Sequence, residues 1–309
     1  MRERVKQMRG VWVLLAVGLS GISACKRPLP EVATGPKSFA TQESAGRAVY
    51  LAAKAGDKNA LIGIFGPEER EYLTTGDDEQ DKLAYAEFAT DYEQMHRWSK
   101  AENGGLVLNV GVENYPFPFP LVRNAEGQWS FSTEEAKKEI LARRIGGNEL
   151  KALDVLNAIG VAQDDYYARA YDGKAKQYAL RFVSSEGKHD GLYWKAEEGQ
   201  EESPLGPLAA QAGAEGYKAP EPFRGYYYRI LRKQGPHAEG GAKDYVVSGK
   251  MTGGFAIVAY PAEYRKTGVM TFVMNQNRVV WQKDLGVDTV VTAKGMESYD
   301  PDESWEIVQ

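Results

Sequence analysis

Apolar residues recur at helical spacing near the start of the folded part of the chain. One apolar face covers residues 48–52 and ends near Gly56, and a second covers residues 61–65. Thr41 is a preferred N-cap residue, and glycine commonly follows the last turn of a helix. The pattern therefore predicts two helices within residues 39–65.

A further helix is predicted over residues 81–102, where large side chains continue at helical spacing. These side chains are Leu83, Tyr85, Phe88, Tyr92, Met95 and Trp98. Residues 106–112 then alternate as a strand, and residues 124–127 have the composition of a hairpin turn. Prolines in residues 114–120 remove backbone donors, so this segment is predicted to lie at a sheet edge or crossing.

The second half of the chain begins with helical spacing and continues with strands. Thr133 and the glutamates after it suit a helix N-terminus, and helical spacing resumes after an interruption at Gly146-Gly147. From Tyr226 onward, apolar runs alternate with polar turns, which predicts an antiparallel sheet. Its predicted strands are residues 226–232, 244–251, 254–260, 268–275 and 279–284. The predicted fold class is α+β, with the helix over residues 149–167 packed on this sheet.

The first 25 residues have the layout of an export signal. Basic residues precede an apolar run over residues 10–24, which is too short to span a bilayer. The run ends in Ile22-Ser23-Ala24-Cys25, which resembles a bacterial lipobox, and Cys25 is the single cysteine of the chain. The resemblance implies acylation of Cys25. A lysine at position 26, directly after the cysteine, resembles lipoproteins that are sorted to the outer membrane and face the periplasm. The alternative is an ordinary signal peptide with an incidental cysteine.

Beyond this leader, the chain has the composition of a soluble globular protein. The 309-residue chain carries a net charge of −5, and 43% of its residues are apolar. No basic stripe follows the leader, which argues against a nucleic-acid partner. We divide the chain into a signal peptide (1–25), a proline-containing tether (26–38) and two domains (39–132 and 133–309).

Few residues could carry chemistry. With three histidines and one cysteine, a zinc site of the usual spacing is not expected, and no cofactor motif is found in the sequence. His189 and Asp190 form the best polar pair, for which a structural loop role is favoured over ligand binding. The acidic residues Asp300, Asp302 and Glu303 lack the ligand series of a calcium loop and are interpreted as a solvated tail. No cofactor and no metal are predicted.

Two functions remain open. The first is a non-enzymatic lipoprotein that reaches the membrane through its lipid and binds other envelope proteins or supports their assembly. The second is an enzyme or small-ligand carrier with a pocket in residues 39–132, lined by Tyr92, His96 and Trp98. The missing catalytic set favours the first function.

Three resemblances extend this interpretation. The residues Ala48-Val49, Lys54-Ala55-Gly56-Asp57, Phe65-Gly66, Gly127, Trp129 and Phe131 resemble the nuclear transport factor 2-like and SnoaL-like cone folds. That likeness implies a cone-shaped domain that often holds a pocket.

The second resemblance lies in the long helix. The residues Glu149, Ala152, Leu156, Ile159, Ala162-Gln163 and Tyr166 are similar to a helix in the head domains of type IV pilins and pseudopilins. It implies a pilin-head-like helix and antiparallel sheet. It does not imply pilin-style polymerisation, because the segment upstream differs from the apolar assembly helix of a pilin.

The third resemblance covers nearly the whole mature chain. Its residues include Arg143-Arg144-Ile145-Gly146, Gly225-Tyr226-Tyr227, Gly253-Gly254-Phe255-Ala256 and Tyr260-Pro261-Ala262-Glu263-Tyr264. Together they resemble the exported bacterial family named domain of unknown function twenty-nine-fifty. That family implies no activity.

Acylation of Cys25 can be tested with a radioactive fatty acid. We expect the wild-type protein to incorporate the label and to fractionate with membranes, because the cysteine thiol is the acylated group of a lipobox. Cys25→Ser is expected to lose both properties. Equal incorporation by the two proteins would refute the anchor.

Overall fold

The computed structural model describes residues 35–67, 70–73, 78–101, 104–171, 175–196, 199, 201–218 and 220–308. The predicted signal peptide, Cys25 and most of the predicted tether lie outside the described residues. The chain divides into two compact units, with the division between Arg143 and Arg144. None of the helices in the described ranges combines the length and the apolar character that a membrane span requires.

The first unit consists of helices packed with a small antiparallel sheet. Its helices are α1 (Gln42–Lys54), α2 (Lys58–Phe65), α3 (Arg70–Leu73) and α4 (Asp78–Gln94). Its strands are β1 (His96–Lys100), β2 (Leu106–Val110), β3 (Tyr115–Pro116), β4 (Leu121–Arg123) and β5 (Trp129–Phe131). They pair in the order β1-β2-β4-β5, and β3 pairs with β2.

Capping residues delimit the first two helices, and Thr41 and Gly56 delimit α1 as the sequence predicts. The Thr41 hydroxyl accepts the Ser44 N–H at 3.1 Å at the start of α1. Gly56 takes a positive φ of 62° after the last turn of α1. Asp57 then caps α2 by accepting the Ala60 N–H at 2.9 Å. The prediction of two helices in this segment is confirmed.

The helix predicted over residues 81–102 is wrong in its second part. α4 stops early, and His96–Lys100 forms β1, which pairs antiparallel with β2. The N–H of Gly111, just after β2, binds the carbonyls of Asp91 at 3.0 Å and Met95 at 2.9 Å. These bonds satisfy carbonyls at the helix end, so the strand pairing overrides the helical spacing of the side chains.

A single helix, α5 (Thr133–Arg169), runs through the Gly146-Gly147 pair where the sequence predicts an interruption. Glycine inside a helix costs about 1 kcal/mol relative to alanine, which packing on either side of the pair can offset. Ala136 and Ile140 belong to the core of the first unit. Apolar residues in the second part of α5 belong to the core of the second unit.

The second unit is built on an antiparallel sheet. Its further helices are α6 (Gly206–Ala214) and α7 (Thr289–Gly295). Its strands are β6 (Tyr226–Leu231), β7 (Lys233–Gln234), β8 (Lys243–Asp244), β9 (Val246–Val247), β10 (Lys250–Met251), β11 (Ala256–Pro261), β12 (Met270–Asn275), β13 (Val280–Asp284), β14 (Ser298–Tyr299) and β15 (Glu306–Ile307). The main sheet has the order β15-β13-β12-β11-β6, and its neighbours are antiparallel. The predicted α+β class is confirmed.

The two central strands of this sheet are covered on both faces. Every residue of β11 is buried, as are Thr271–Asn275 of β12. Ile230, Ile257 and Met274 are paired across neighbouring strands and therefore share one face, which α5 covers. Arg229 lies on the opposite face, where its guanidinium binds the Ala293 carbonyl of α7 at 2.7 Å.

Two contacts bring α5 close to the sheet. A carboxylate oxygen of Glu149 accepts the N–H groups of Val269 and Met270 at 2.9 and 3.0 Å, at the start of β12. Further along the helix, a Cβ at Gly160 would lie 1.5 Å from the Arg278 guanidinium. Glycine is therefore required at position 160 for this guanidinium to cross the helix backbone and reach the Asn157 carbonyl at 3.0 Å.

The packing of α5 on the sheet can be tested with two substitutions on the same helix. Leu156 is fully buried and Val161 is 55% exposed. Leu156→Ala should lower the free energy of unfolding by about 2–5 kcal/mol, because it leaves a cavity in the core. Val161→Ala, the matched control, should change it by less than about 0.5 kcal/mol. Urea denaturation followed by tryptophan fluorescence measures both, and equally small effects would contradict this packing.

Candidate functional site

An open groove of about 650 Å³ runs along the outer edge of β6 in the second unit. Its walls are residues 180–182 on one side and residues 228–233 on the other, with Glu297 at one end. This volume lies in the range of about 300–1,000 Å³ typical of ligand sites.

The hydrogen bonds at the start of β6 show which way each backbone group points. The Gly225 carbonyl accepts the Ala262 N–H at 2.9 Å, on the side of β11. Tyr226 instead exchanges hydrogen bonds with Phe223, at 2.9 and 3.1 Å, on the opposite side. Because these directions alternate along an antiparallel strand, the odd-numbered residues of β6 bond to β11 and the even-numbered residues face the groove.

Two of the even-numbered residues have groove-side backbone groups without a hydrogen-bond partner among the described residues. Past the end of β6, the Arg232 carbonyl accepts the Tyr245 N–H at 2.9 Å, which closes the edge there. Between the two closures, no hydrogen bond within the described part of the chain reaches the groove-side backbone of Tyr228 or Ile230. The strand therefore presents two N–H donors and two C=O acceptors to the groove.

Cationic side chains dominate the groove. Among the described lining residues, Arg181, Arg229, Arg232 and Lys233 give four positive charges, and Glu297 gives one negative charge. The Lys233 ammonium lies 2.7 Å from the Glu297 carboxylate. This hydrogen bond raises the pKa of Lys233 and lowers the pKa of Glu297, so both groups are charged at neutral pH.

The three arginines of the groove are less neutralised by neighbouring carboxylates than Lys233 is. Arg229 is held by the carbonyls of Ala293 and Met296, which fix its position without neutralising its charge. Arg181 lies 3.9 Å from the Asp190 carboxylate, and its side chain is 55% exposed. The exposed Arg232 has no ion-pair partner among the residues that the structure describes.

The groove contains no group prepared for catalysis in its described lining. Burial raises the pKa of Tyr228, so its phenol is neutral and is not a nucleophile at neutral pH. The phenol oxygen is buried and has no hydrogen-bond partner within the described residues. The open strand edge and the charged lining are features of a binding groove.

The predicted pair of His189 and Asp190 lies in the loop that follows one groove wall. Asp190 accepts the Ser185 N–H at 2.7 Å and the Ser185 hydroxyl at 2.9 Å, and the first of these bonds lowers the pKa of Asp190. The His189 ring packs on Trp194 with 4.4 Å between ring centroids, and its carbonyl accepts the Tyr166 hydroxyl at 2.7 Å. These contacts shape the loop and thereby support the wall at residues 180–182.

The predicted residues Tyr92, His96 and Trp98 lie in the first unit and are brought together there. The Tyr92 ring stacks between Tyr50, at 4.9 Å, and His96, at 3.8 Å. Trp98 contacts the backbone of α1, since a Cβ at Gly46 would lie 3.1 Å from its ring. His96 is exposed and Trp98 is half-buried, so this cluster lies at the surface of its unit.

A small, partly open pocket of the first unit is separate from that cluster. It measures about 60 Å³, and its described lining is apolar apart from one tyrosine, Tyr85. The Tyr85 hydroxyl is already bound to the Leu73 carbonyl at 2.7 Å. Tyr92, His96 and Trp98 are not among the residues that line the pocket.

Of the acidic residues interpreted as a solvated tail, Asp302 and Glu303 are exposed and Asp300 is half-buried. Asp300 accepts the His237 N–H at 2.7 Å and contacts the ring nitrogen of His237 at 2.9 Å. Asp302 accepts the Ser304 N–H at 2.9 Å. Within the described ranges, no three histidine, cysteine or acidic side chains are grouped as a metal site requires. The lipidation candidate Cys25 lies outside those ranges.

Comparisons with known proteins give one informative match. A family model described as "Protein of unknown function (DUF2950)" matches residues 36–308. No curated protein and no solved structure matches the chain. The likenesses to cone folds and to pilin heads therefore remain unconfirmed.

The open edge of β6 can be tested with proline, which removes one backbone N–H. Ile230→Pro should keep the sheet intact and cost about 1–2 kcal/mol, because its N–H faces the groove and proline is tolerated on edge strands. Leu231→Pro should cost more than about 3 kcal/mol, because it removes a bond to β11. Thermal unfolding monitored by circular dichroism compares the two, and equal destabilisation would contradict the assigned directions.

Proposed function

This chain belongs to the DUF2950 family of unknown function, and we propose that it is a non-enzymatic, lipid-anchored binding protein of the cell envelope. The groove along β6 is the site that holds its partner. The open backbone edge between Tyr226 and Arg232 is the observation that carries this proposal.

The leader supports the location. A basic start, a short apolar run and Cys25 after Ile22-Ser23-Ala24 are typical of an exported lipoprotein. A protein held at a membrane surface meets other envelope proteins there. The proposed partner is therefore another envelope protein, and the outer membrane facing the periplasm is the proposed location.

The groove supports binding by its shape and its chemistry. An exposed strand edge recognises an extended segment through main-chain hydrogen bonds, and neighbouring side chains select the sequence. Tyr228 and Ile230 supply the main-chain groups, and residues 180–182 supply a facing wall. The groove cations supply selection by charge.

The alternative function, an enzyme or small-ligand carrier built on the first unit, has less support. A pocket of about 60 Å³ is well below the volume that drug-sized ligands occupy. The cluster of Tyr92, His96 and Trp98 lies outside that pocket. We therefore place the binding site in the second unit.

Site-specific photo-crosslinking in growing cells tests the proposal. We would place a photoreactive amino acid at Phe182, in the groove wall, and at Ile307 as a control. Ile307 lies in β15 at the opposite edge of the same sheet and is 53% exposed. We expect a discrete crosslinked partner from position 182, identified by mass spectrometry, and none from position 307.

Two further results would decide the interpretation. Cys25→Ser should reduce the yield of the crosslink, because the protein is then no longer held at the membrane. Identical crosslinked bands from both positions, or none from position 182, would count against the groove as the partner site.

A further inference from the structure

We propose that the β6 groove binds a short, acidic, extended peptide segment, which adds to β6 as a further strand. This inference rests on the proposed function and names the chemistry of the partner at the same site. Geometry limits the length of the segment, and charge selects its composition.

The closures at both ends of the open edge limit the length of the bound segment. Phe223 bonds to Tyr226 at one end, and Tyr245 bonds to Arg232 at the other. Strand residues advance about 3.3 Å each, so the intervening edge accommodates about three to five residues of an added strand. The long strand edge of a second copy of this chain would meet both closures, whereas a loop or a chain terminus fits between them.

Main-chain groups supply affinity that depends little on sequence. A residue facing a strand in the hydrogen-bonded position exchanges an N–H and a C=O with it. Tyr228 and Ile230 are two positions apart, so two alternate residues of the peptide can each exchange such a pair. The peptide must therefore be extended over at least three residues.

Groove charge selects acidic segments. Glu297 is already paired with Lys233 at 2.7 Å, and Arg181 lies 3.9 Å from Asp190, so the exposed Arg232 is the cation most available to the ligand. Arg229 contributes its positive charge from a fixed position, because its guanidinium is held by the Ala293 and Met296 carbonyls. Guanidinium groups bind carboxylates with two parallel hydrogen bonds where the geometry allows. A basic segment would meet like charge, which costs affinity and excludes it.

Apolar lining sets the pattern of the segment. Leu180, Phe182 and Ile230 line the groove and are half-buried, so they offer contact to apolar side chains of the ligand. Side chains of an added strand alternate between its two faces. A segment that alternates apolar and acidic residues satisfies both requirements.

Fluorescence anisotropy with the purified protein tests the inference. The probe is a fluorescein-labelled pentapeptide of alternating valine and glutamate. Two controls are the same peptide with lysine in place of glutamate, and the acidic peptide with N-methylated alternate amides. We expect the acidic peptide to bind and both controls to bind at least about tenfold more weakly.

Protein variants locate the site. Arg232→Glu should weaken binding by at least about tenfold, because it replaces a positive charge with a negative one. Ile230→Pro should weaken binding by a similar factor, because it removes one backbone donor. Lys266→Glu, the control, changes the same charge in an exposed turn that does not line the groove, and should stay within about twofold. The N-methylated peptide removes donors of the same backbone bonds without altering the protein. If it also binds weakly to the wild-type protein, misfolding of Ile230→Pro is not the explanation.

Each other outcome overturns the inference. Equal binding of the acidic and lysine peptides, or no binding, would eliminate an acidic strand as the ligand. A dimer in analytical ultracentrifugation that Ile230→Pro dissociates would assign the edge to a second copy. If crosslinking at Phe182 still yields an envelope protein, the proposed function stands and only the peptide chemistry is wrong.

Discussion

Burial of β11 and β12 on both faces is the constraint on which the second unit depends. A strand in that position must place its side chains in apolar surroundings and its backbone groups in bonds to neighbouring strands. β6 and β13 supply the bonds, α5 covers one face, and α7 with its neighbouring segments covers the other. β6 and β15 are therefore the edge strands of the sheet. The groove exists because this arrangement leaves β6 without a second neighbour.

An open strand edge is hazardous for any protein, since it can pair with the edge of another copy. Two features of β6 reduce the hazard without covering the strand. Bonds to Phe223 and Tyr245 shorten the open edge to a few residues, and the cations beside it repel a second copy of the same edge. The same features leave the edge accessible to a short segment of opposite charge. Protection from self-association and the proposed selection of an acidic partner thus have a common physical origin.

Local signals in the sequence predict the elements well, and pairing between distant segments explains the failures. Thr41 and Gly56 act through bonds to near neighbours, so the limits of α1 can be predicted directly from them. Trp98 has helical spacing yet lies in a strand, because β2 pairs with that segment. The groove could not be predicted, because the strand order that places β6 at the edge depends on contacts between segments far apart in the chain. The sequence favours a structural loop role for His189 and Asp190, but the contacts with Ser185 and Trp194 through which they act depend on how the loop folds.

Recognition through a few backbone bonds and several arginines gives modest affinity. The proposed membrane anchor would allow a site of modest affinity to be occupied. Each main-chain hydrogen bond contributes about 0.5–1.5 kcal/mol after exchange with water. A segment bound through four such bonds and two or three charge contacts is therefore held weakly in free solution, once the loss of its freedom is included. Attachment of the protein and its partner to the same membrane raises their effective concentration, as a short linker does between two binding modules. A weak and sequence-tolerant groove can then be occupied at the membrane and still release its segment. Under the proposed anchoring through Cys25, the membrane would supply the proximity that a tighter site would otherwise have to provide.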